Sequence, residues 1–492
     1  MNGEIIPLAE DFARATREDW ERAALKALKG EPLERLCGRT ADGLVLDALY
    51  PPAEAPAAAR AEVAADRERP WDVRSIVDHP HPLEANRQLL HELENGAGSA
   101  LLTLDPSGAR GVAVGGREGF AQVLDGVLLD LAPVALDAGW AGPQATDWLA
   151  EAAKGGPAAP LAAHMDPLGT WAREGVSPGP IEAHLRAAAG TAARHAATYP
   201  KASFFLASGR PVHEAGGSEG WELGFAAAAA LAYARAMEGV EDPRVEDPWP
   251  RIVLGLSADV EHLTTVAKLR AARVIWSKMT GACGSTAPPR VEARSSRRML
   301  ARQDSWSNLL RLTAAGFGAA VGGADAVVLE PFTTPLCGAG ERPGALARRQ
   351  ARNIQLVLME EAGLGRVADA AGGAGYVEAL TEGLARAGWA AMQAIEGAGG
   401  IVAALEAGLV AEAVGEARDA RAAAYADGTL GLIGVTRFQN AHDERPAMEP
   451  APREAGAGRV MRFEGADSTC PALAPVRWAE AFEPNSWAEE AA

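Results

Sequence analysis

The stretch that decides the fold runs from Glu292 to Phe332 and reads EARSSRRMLARQDSWSNLLRLTAAGFGAAVGGADAVVLEPF. Its apolar residues, such as Leu309, Leu312 and Phe317, recur near helical spacing and predict a helix. The segment AVVL, which starts at Ala326, is a short apolar run typical of a buried strand. Because a helix that joins two strands is the crossover unit of a parallel sheet, the stretch predicts an α/β fold.

The alternation of strand and helix patterns extends over most of the chain. Eight segments have strand character: Val73–Asp78, Ser99–Asp105, Pro133–Ala138, Pro160–Met165, Ser203–Ser208, Ile252–Ser257, Arg290–Arg294 and Ala326–Phe332. Helical patterns lie between most of them, for example Leu83–Glu94, Ile181–His195, Glu219–Met237, Val260–Met279 and Trp306–Val321. Such alternation predicts a (β/α)8 TIM barrel. A doubly wound open sheet is the alternative, which the absence of a Gly-x-Gly-x-x-Gly turn disfavours.

The barrel domain is predicted over residues 66–445, with an extension at each end. Residues 1–65 hold a helical pattern over 10–29 that ends at Gly30, followed by a short strand pattern and a Pro/Ala-rich connector. We expect this helical N-terminal extension to bind a partner. Residues 446–492 are rich in Pro, Ala and Gly at first, and predict a short C-terminal tail that is extended or serves as an interface arm.

Composition and charge disfavour several classes of function. With 65 acidic and 47 basic residues the formal net charge is -18, and no basic stripe or tail indicates a nucleic-acid partner. The longest apolar stretch, Phe225 to Ala234, is too short to span a membrane, and the acidic N-terminus does not resemble a secretory signal. The 4 cysteines form no CxxC pair, which disfavours a disulfide scaffold or a zinc site. A cytoplasmic protein is expected.

Barrel enzymes carry their sites on loops that follow the strands, and the loop after Ser203–Ser208 holds two ionisable neighbours. In a functional interpretation His213 donates a hydrogen bond or acts as a general acid, with Glu214 as its partner. In a structural interpretation Glu214 interacts with a helix dipole and His213 is a polar loop residue. The structural interpretation is favoured, because two neighbours on a rigid turn do not easily face one pocket.

Two further clusters of polar side chains follow predicted strands. Arg297, Arg298 and Arg302 could hold a phosphate or a carboxylate, or could pair with acids of this acidic chain. His79 and His81 in DHPHP could ligate a metal, but no third ligand stands at suitable spacing and the prolines favour an extended loop. No metal is therefore predicted.

Several segments resemble, in the same order, those of the cobalamin-dependent acyl-CoA mutases, above all methylmalonyl-CoA mutase. They include RPWDVRSIVDHPHP (69–82), DPLG (166–169), ARRQARNIQLVLMEEAGLGRVADAAGGAGYVEALT (347–381), GVTRFQN (434–440) and RWAEAFE (477–483). In that family a barrel binds the acyl-CoA with the pantetheine arm along its axis, and a C-terminal domain delivers adenosylcobalamin. The reaction converts methylmalonyl-CoA to succinyl-CoA through radicals that the cofactor supplies.

The resemblance also implies that the chemistry of this barrel is lost. Ile76 stands where active subunits have the tyrosine of RQYAGF, and in the SGYHMQEAG segment Pro211 replaces the histidine and His213 the glutamine. On the seventh strand Glu292 and Arg294 replace the histidine and glutamine of HxQTSG. No catalytic residue is therefore expected to be intact. Ionisable side chains on the same loops form a candidate residual pocket: His213, Glu214, Arg294 and Arg297.

The resemblance further implies a subunit type. No segment matches the D-x-H-x-x-G loop that supplies the cobalt ligand, and the AEAFE segment that precedes the cobalamin domain in the family lies close to residue 492. With an N-terminal segment similar to Glu18–Gly30, this is the pattern of a small, non-catalytic subunit that binds no cofactor itself and pairs with a large catalytic subunit carrying adenosylcobalamin. One alternative is a catalytic acyl-CoA mutase barrel served by a cobalamin domain on another chain. The other is a stand-alone CoA-binding barrel.

Overall fold

A computed structural model describes residues 15–53, 69–154, 156, 159–241, 243, 245–440, 442–451 and 460–484. Within them, parallel strands form a closed barrel in which the last strand pairs with the first, so the predicted barrel is confirmed and the open sheet is wrong. The barrel strands, numbered β1 to β8, are Asp72–Val77, Ser99–Thr103, Val134–Asp137, Ala162–Met165, Ser203–Ser208, Ile252–Ala258, Val291–Ser295 and Ala326–Val328.

The strand boundaries follow local hydrogen bonding. Strand β5 coincides with the predicted segment, whereas β8 ends at Val328 although the apolar pattern predicts a strand up to Phe332. The backbone N–H of Glu330 donates to Ser295 Oγ at 2.8 Å instead of to a neighbouring strand. Pro331 has no N–H to donate, so the ladder cannot resume there.

Helices surround the barrel and fill the connections between its strands. Numbered in chain order they are α1 Arg17–Ala27, α2 Pro82–Glu94, α3 Arg117–Val123, α4 Gly142–Ala152, α5 Pro167–Glu174, α6 Ile181–Ala196, α7 Arg210–Glu214, α8 Glu219–Glu238, α9 His262–Ala282, α10 Asn308–Val321, α11 Ala345–Leu356, α12 Gly375–Gly397, α13 Ile401–Glu406 and α14 Leu409–Ala426. In the described part of the chain, no helix is both long enough and apolar enough to cross a membrane.

Alternate residues of each strand face opposite sides of the barrel wall. Ile252, Leu254 and Leu256 of β6 point outward into the main core between strands and helices. The inward side chains form a separate small apolar cluster: Ile76, Leu101, Ala135, Ala162 and Val328. Polar and charged side chains occupy much of the remaining axis, and they define the site described below.

The N-terminal extension consists of α1 and a two-stranded antiparallel ribbon, Gly38–Arg39 with Val45–Leu46. Helix α1 starts where Thr16 caps it: the Asp19 N–H donates to Thr16 Oγ1 at 3.2 Å, and the Thr16 N–H donates to the Asp19 carboxylate at 3.1 Å. No residue of α1 is buried. The predicted helical residues 10–14 and most of the predicted connector lie outside the described residues.

The described part of the C-terminal segment lies against the barrel. Ser468 is tied to the turn before α6, because the Ser177 N–H donates to its carbonyl at 3.0 Å. Further on, the N–H of Val476 donates to the Glu214 carbonyl at 2.8 Å, and Trp478 is only 6% exposed. Residues 452–459 and 485–492 of the predicted tail lie outside the described residues.

The close approach of α8 and α12 generates a stability prediction. A Cβ atom added to Gly224 would lie 2.5 Å from the Ala391 Cβ and 2.8 Å from the Met392 nitrogen. We expect Gly224→Ala to lower the free energy of unfolding by about 1–3 kcal/mol, as overpacking does, in urea denaturation. Gly190→Ala on α6 is the matched control. Its Cβ would meet only the end of the Arg194 side chain, at 4.0 Å, so it should stabilise by about 0.5–1 kcal/mol. Equal effects of the two substitutions would contradict the close packing.

Candidate functional site

A buried ion pair lies inside the barrel and joins β1 to β7, the two strands that flank β8. Arg74 Nη1 lies 2.5 Å from Glu292 Oε2, and the two side chains are 9% and 5% exposed. Arg74 also donates to Ser99 Oγ at 2.8 Å and to Asp72 Oδ2 at 2.8 Å. Since all three partners of Arg74 sit on strands, the guanidinium is held by the barrel wall and cannot move without losing buried hydrogen bonds.

His164 of β4 lies beside this pair. Its Nδ1 is 3.6 Å from Glu292 Oε2 and has no hydrogen-bond partner among the described residues. Burial lowers the pKa of His164 to about 4, so the imidazole is uncharged at neutral pH. Burial raises the pKa of Glu292, but His164 and Arg74 lower it, and the pKa stays below its ordinary value. Arg74 is therefore the cation that balances Glu292.

A second group of charged side chains lies inside the barrel, nearer the carboxyl ends of the strands. Arg294 Nη2 lies 2.7 Å from Glu330 Oε1, and Arg294 Nη1 lies 3.3 Å from Asp137 Oδ2. Arg297 makes two contacts with the Glu330 carboxylate, at 3.0 and 3.1 Å. Burial would raise the pKa of Glu330, but Arg294 and Arg297 outweigh it and lower the pKa to about 2. Glu330 is thus a fixed anion that ties β7 to β8.

His213 does not face the axis. Its side chain is fully buried, with Nδ1 3.1 Å from Glu222 Oε2 and Nε2 3.2 Å from Asp259 Oδ2. Glu222 is also paired with Lys268 at 2.5 Å. Burial would raise the pKa of Glu222, but Lys268 and His213 hold it well below its ordinary value. The imidazole therefore bridges two carboxylates between α7, α8 and the end of β6.

Arg298 completes this buried cluster. Its guanidinium lies 2.9 Å from Asp259 Oδ2 and 3.1 Å from Glu219 Oε1. It also donates to the backbone carbonyls of His213 and Gly217, at 3.1 and 2.9 Å. The cluster joins the loops that follow β5, β6 and β7. This arrangement indicates that its side chains stabilise the loops and do not contact a ligand.

Glu214 points away from its neighbour His213 and toward the β7 loop. Both of its carboxylate oxygens accept from the Arg297 backbone N–H at 3.1 Å, and Arg210 Nη2 lies 3.2 Å away. Of the four residues of the candidate residual pocket, the structure thus brings Glu214, Arg294 and Arg297 together at the mouth. It places His213 in a separate buried cluster.

The remaining substituted family positions are apolar or lack a donor. Ile76 is 9% exposed and packs in the axial apolar cluster beside Leu101 and Val328. Pro211 lies in the first turn of α7, where its missing N–H costs nothing. Two cavities in the described part of the molecule each enclose about 10 Å³, the space of a single water molecule.

Members of the other two sequence clusters make contacts within the chain. Arg302 donates through Nε to the Pro335 carbonyl at 2.8 Å, so it holds a loop. His81 Nδ1 accepts from the Leu83 N–H at 3.3 Å as the N-cap of α2. Across the described ranges, no group of three or more His, Cys, Asp or Glu side chains is arranged to hold a metal ion.

The axial pair generates a stability prediction. Replacing Glu292 by alanine removes one of the two carboxylates that pair with the buried Arg74 and leaves only Asp72, at 2.8 Å. We therefore expect a loss of about 3 kcal/mol in the free energy of unfolding, the lower end for a broken buried pair, measured by urea denaturation at neutral pH. Glu382→Ala is the matched control, because Glu382 pairs with Arg386 on the surface and the side chains are 62% and 79% exposed. That change should cost less than about 1 kcal/mol. A similarly small cost for Glu292→Ala would show that the axial pair is not essential to the barrel.

Comparison with known proteins identifies the scaffold. Residues 47–466 match the family model described as methylmalonyl-CoA mutase. The chain is 36% identical to a protein named methylmalonyl-CoA mutase small subunit from Streptomyces virginiae, over 93% of this chain and 76% of that protein. It is 31% identical to the small subunit from Propionibacterium freudenreichii subsp. shermanii, over 88% of this chain and 70% of the relative.

A relative named as a large subunit is also similar, over a shorter stretch. The methylmalonyl-CoA mutase large subunit of Propionibacterium freudenreichii subsp. shermanii is 32% identical over 50% of this chain and 34% of that protein. The sequence segments that resemble the family in the same order predicted this family, and the prediction is thus confirmed, as is the barrel fold. The chain therefore belongs to the methylmalonyl-CoA mutase family.

Proposed function

We propose that this chain is the small, non-catalytic subunit of a heterodimeric, adenosylcobalamin-dependent methylmalonyl-CoA mutase, with a structural or regulatory role. The observation that carries the proposal is the buried Arg74–Glu292 pair inside the barrel. The family resemblance implies that an active barrel takes the pantetheine arm along this axis. Here charged side chains occupy that path, and the Arg294–Glu330 pair occupies it a second time.

The energetic cost of opening the axis supports the proposal. A pantetheine arm would have to separate Arg74 from Glu292. Arg74 would keep Asp72, but Glu292 would lose its paired cation, and an uncompensated buried charge costs about 3–5 kcal/mol. Each 1.4 kcal/mol weakens a binding constant about tenfold. A CoA ester would therefore bind this barrel at least about 100-fold more weakly than it binds a barrel with an open axis.

The side chains at the substituted positions support the same view. Ile76 offers no hydrogen-bonding group where the family has a tyrosine. Pro211 has no side-chain donor where the family has a histidine. His213, two residues later, is buried between Glu222 and Asp259 and cannot replace that histidine without breaking the cluster. A catalytic barrel served by a cobalamin domain on another chain would need these contacts, so this alternative is disfavoured.

The residues present do not fit cobalamin. None of the 9 histidines stands in a D-x-H-x-x-G segment, and both His164 and His213 are buried inside the barrel domain. We therefore assign adenosylcobalamin, and with it the acyl-CoA, to a large catalytic partner. The four cysteines are free, as expected in a reducing compartment, which supports a cytoplasmic complex.

The N-terminal extension supports the existence of a partner. Leu25, Leu36 and Val45 are 41%, 42% and 56% exposed, so the extension offers apolar side chains that a partner could cover. Among the relatives, one organism has proteins named as small and large subunits, which favours a mutase subunit as the partner.

Co-expression with a large mutase subunit tests the proposal. We expect a complex of equal stoichiometry whose mutase activity requires cobalamin bound to the large chain. Val45→Asp should weaken the complex at least tenfold without lowering the melting temperature of this chain, because it places a charge in the proposed interface. Leu131→Asp is the matched control, since Leu131 is 73% exposed but lies on the barrel before β3, and it should leave the complex intact. Mutase turnover by this chain with a separate cobalamin domain, without a large barrel, would overturn the proposal.

A further inference from the structure

The N-terminal extension is attached to the barrel through a carboxylate. Ser218 Oγ donates to Asp42 Oδ1 at 2.6 Å, and the Gly220 N–H donates to both carboxylate oxygens at 3.1 Å. Asp42 therefore sits at the start of α8, where free backbone N–H groups favour an acceptor. The Ala53 N–H adds a donation to the Gly373 carbonyl at 3.1 Å.

The apolar part of this contact is small. A Cβ atom on Gly383 of α12 would lie 2.8 Å from Leu44, so the side chain of Leu44 rests directly on the backbone of that helix. The Tyr50 and Tyr376 rings meet edge to face with centroids 5.3 Å apart. Leu44 and Leu46 are only partly buried against the core. The attachment thus depends substantially on the polar contact of Asp42.

Asp42 has an unfavourable neighbour in Glu219, the residue between its two hydrogen-bond donors on α8. Glu219 is ionised, since Arg298 pairs with it at 3.1 Å and its pKa is lowered despite burial. Lys268 of α9 opposes this repulsion, but Lys268 is paired with Glu222 at 2.5 Å. From α12, Gly383 and Ala387 reach this region, while Glu382 and Arg386 pair with each other at the surface.

The balance of these groups decides the protonation of Asp42. Burial and then the Glu219 carboxylate raise the pKa of Asp42 to about 6, against the opposing effects of Ser218, Gly220 and Lys268. In a detached extension the carboxyl would return to its ordinary pKa of 3.8. The attached state therefore holds a proton more tightly than the detached state.

We propose that Asp42 is a proton-dependent latch, which holds the N-terminal extension on α8 more tightly when its carboxyl is protonated than when it is ionised. Protonation removes the repulsion from Glu219 and still leaves an oxygen to accept from Gly220. The latch is a property of this chain alone, so it stands whether or not the extension binds a partner.

The sign and size of the effect follow from linkage. Because the pKa is raised in the attached state, the extra hold is fully present below pH 3.8 and is lost as the pH rises through about 6. Between pH 5 and pH 8 the equilibrium constant for attachment should fall about tenfold. Raising the pH would thus weaken the attachment of the extension, whose apolar side chains are already partly exposed.

Hydrogen exchange of the full chain, followed by mass spectrometry, tests the latch. Protection factors of peptides from residues 38–53, corrected for the intrinsic pH dependence of exchange, should fall about tenfold from pH 5 to pH 8. Asp42→Asn should remove this dependence, because the amide keeps an acceptor for Gly220 but has no charge. Asp47→Asn is the matched control: Asp47 pairs with Arg17 inside the extension at 2.7 Å, so the pH dependence should persist.

The outcomes are decisive in either direction. A constant protection factor in the unsubstituted chain, or the same pH dependence in Asp42→Asn, would overturn the latch. If Asp42→Asn detaches the extension at every pH, Glu219→Gln decides, since it removes the repelling charge and leaves Asp42 in place. A smaller pH dependence in Glu219→Gln supports the latch, and an unchanged one overturns it.

Discussion

The ion pair between Arg74 and Glu292 is the central interaction of the barrel interior. The two side chains come from β1 and β7 and meet at 2.5 Å inside the barrel, and each is more than nine-tenths buried. Buried ion pairs add little net stability, because desolvation offsets their attraction, but separating them is costly. We propose that the pair acts less as a source of stability than as a barrier to a linear ligand inside the barrel.

A second buried network fixes the mouth of the barrel. Arg298 joins Asp259, Glu219 and the carbonyl groups of the β5 loop, and its guanidinium lies 5.7 Å from the ring centre of Trp478. The backbone N–H of Trp478 donates in turn to the Arg298 backbone carbonyl at 3.0 Å. The network links three strand-end loops with the C-terminal segment. These side chains hold the loops together.

Much of the fold could be predicted because it depends on local patterns. The apolar runs that became β5 and β6, and the helical spacing that became α8 and α10, are properties of short segments. The end of β8 could not be predicted from hydrophobicity, since it depends on a hydrogen bond from Glu330 to Ser295 in another strand. Replacement of family residues at Glu292 and Arg294 was visible in the sequence, but their partners were not.

The site was harder to predict because its contacts join distant parts of the chain. Arg74 has the same strand parity as Ile76, so both face inward, but its pairing with Glu292 spans 218 residues and has no local signal. His213 and Glu214 are neighbours in sequence, but their side chains face different clusters. The path of α7 and α8 determines which cluster each side chain joins. The sequence also offered no direct indication that Glu330 would balance two arginines, since it follows a strand whose apolar pattern suggested a longer element.

Equilibrium binding of a CoA ester to the isolated chain tests the closed axis most directly. Calorimetric titration with methylmalonyl-CoA at neutral pH should show no binding with a Kd below about 100 μM, because the ligand would have to separate Arg74 from Glu292. An Arg74→Ser, Glu292→Ser double variant that still folds would serve to show that removing the pair opens the path. Saturable binding to the unsubstituted chain with a Kd near 1 μM, about −8 kcal/mol, would contradict the account.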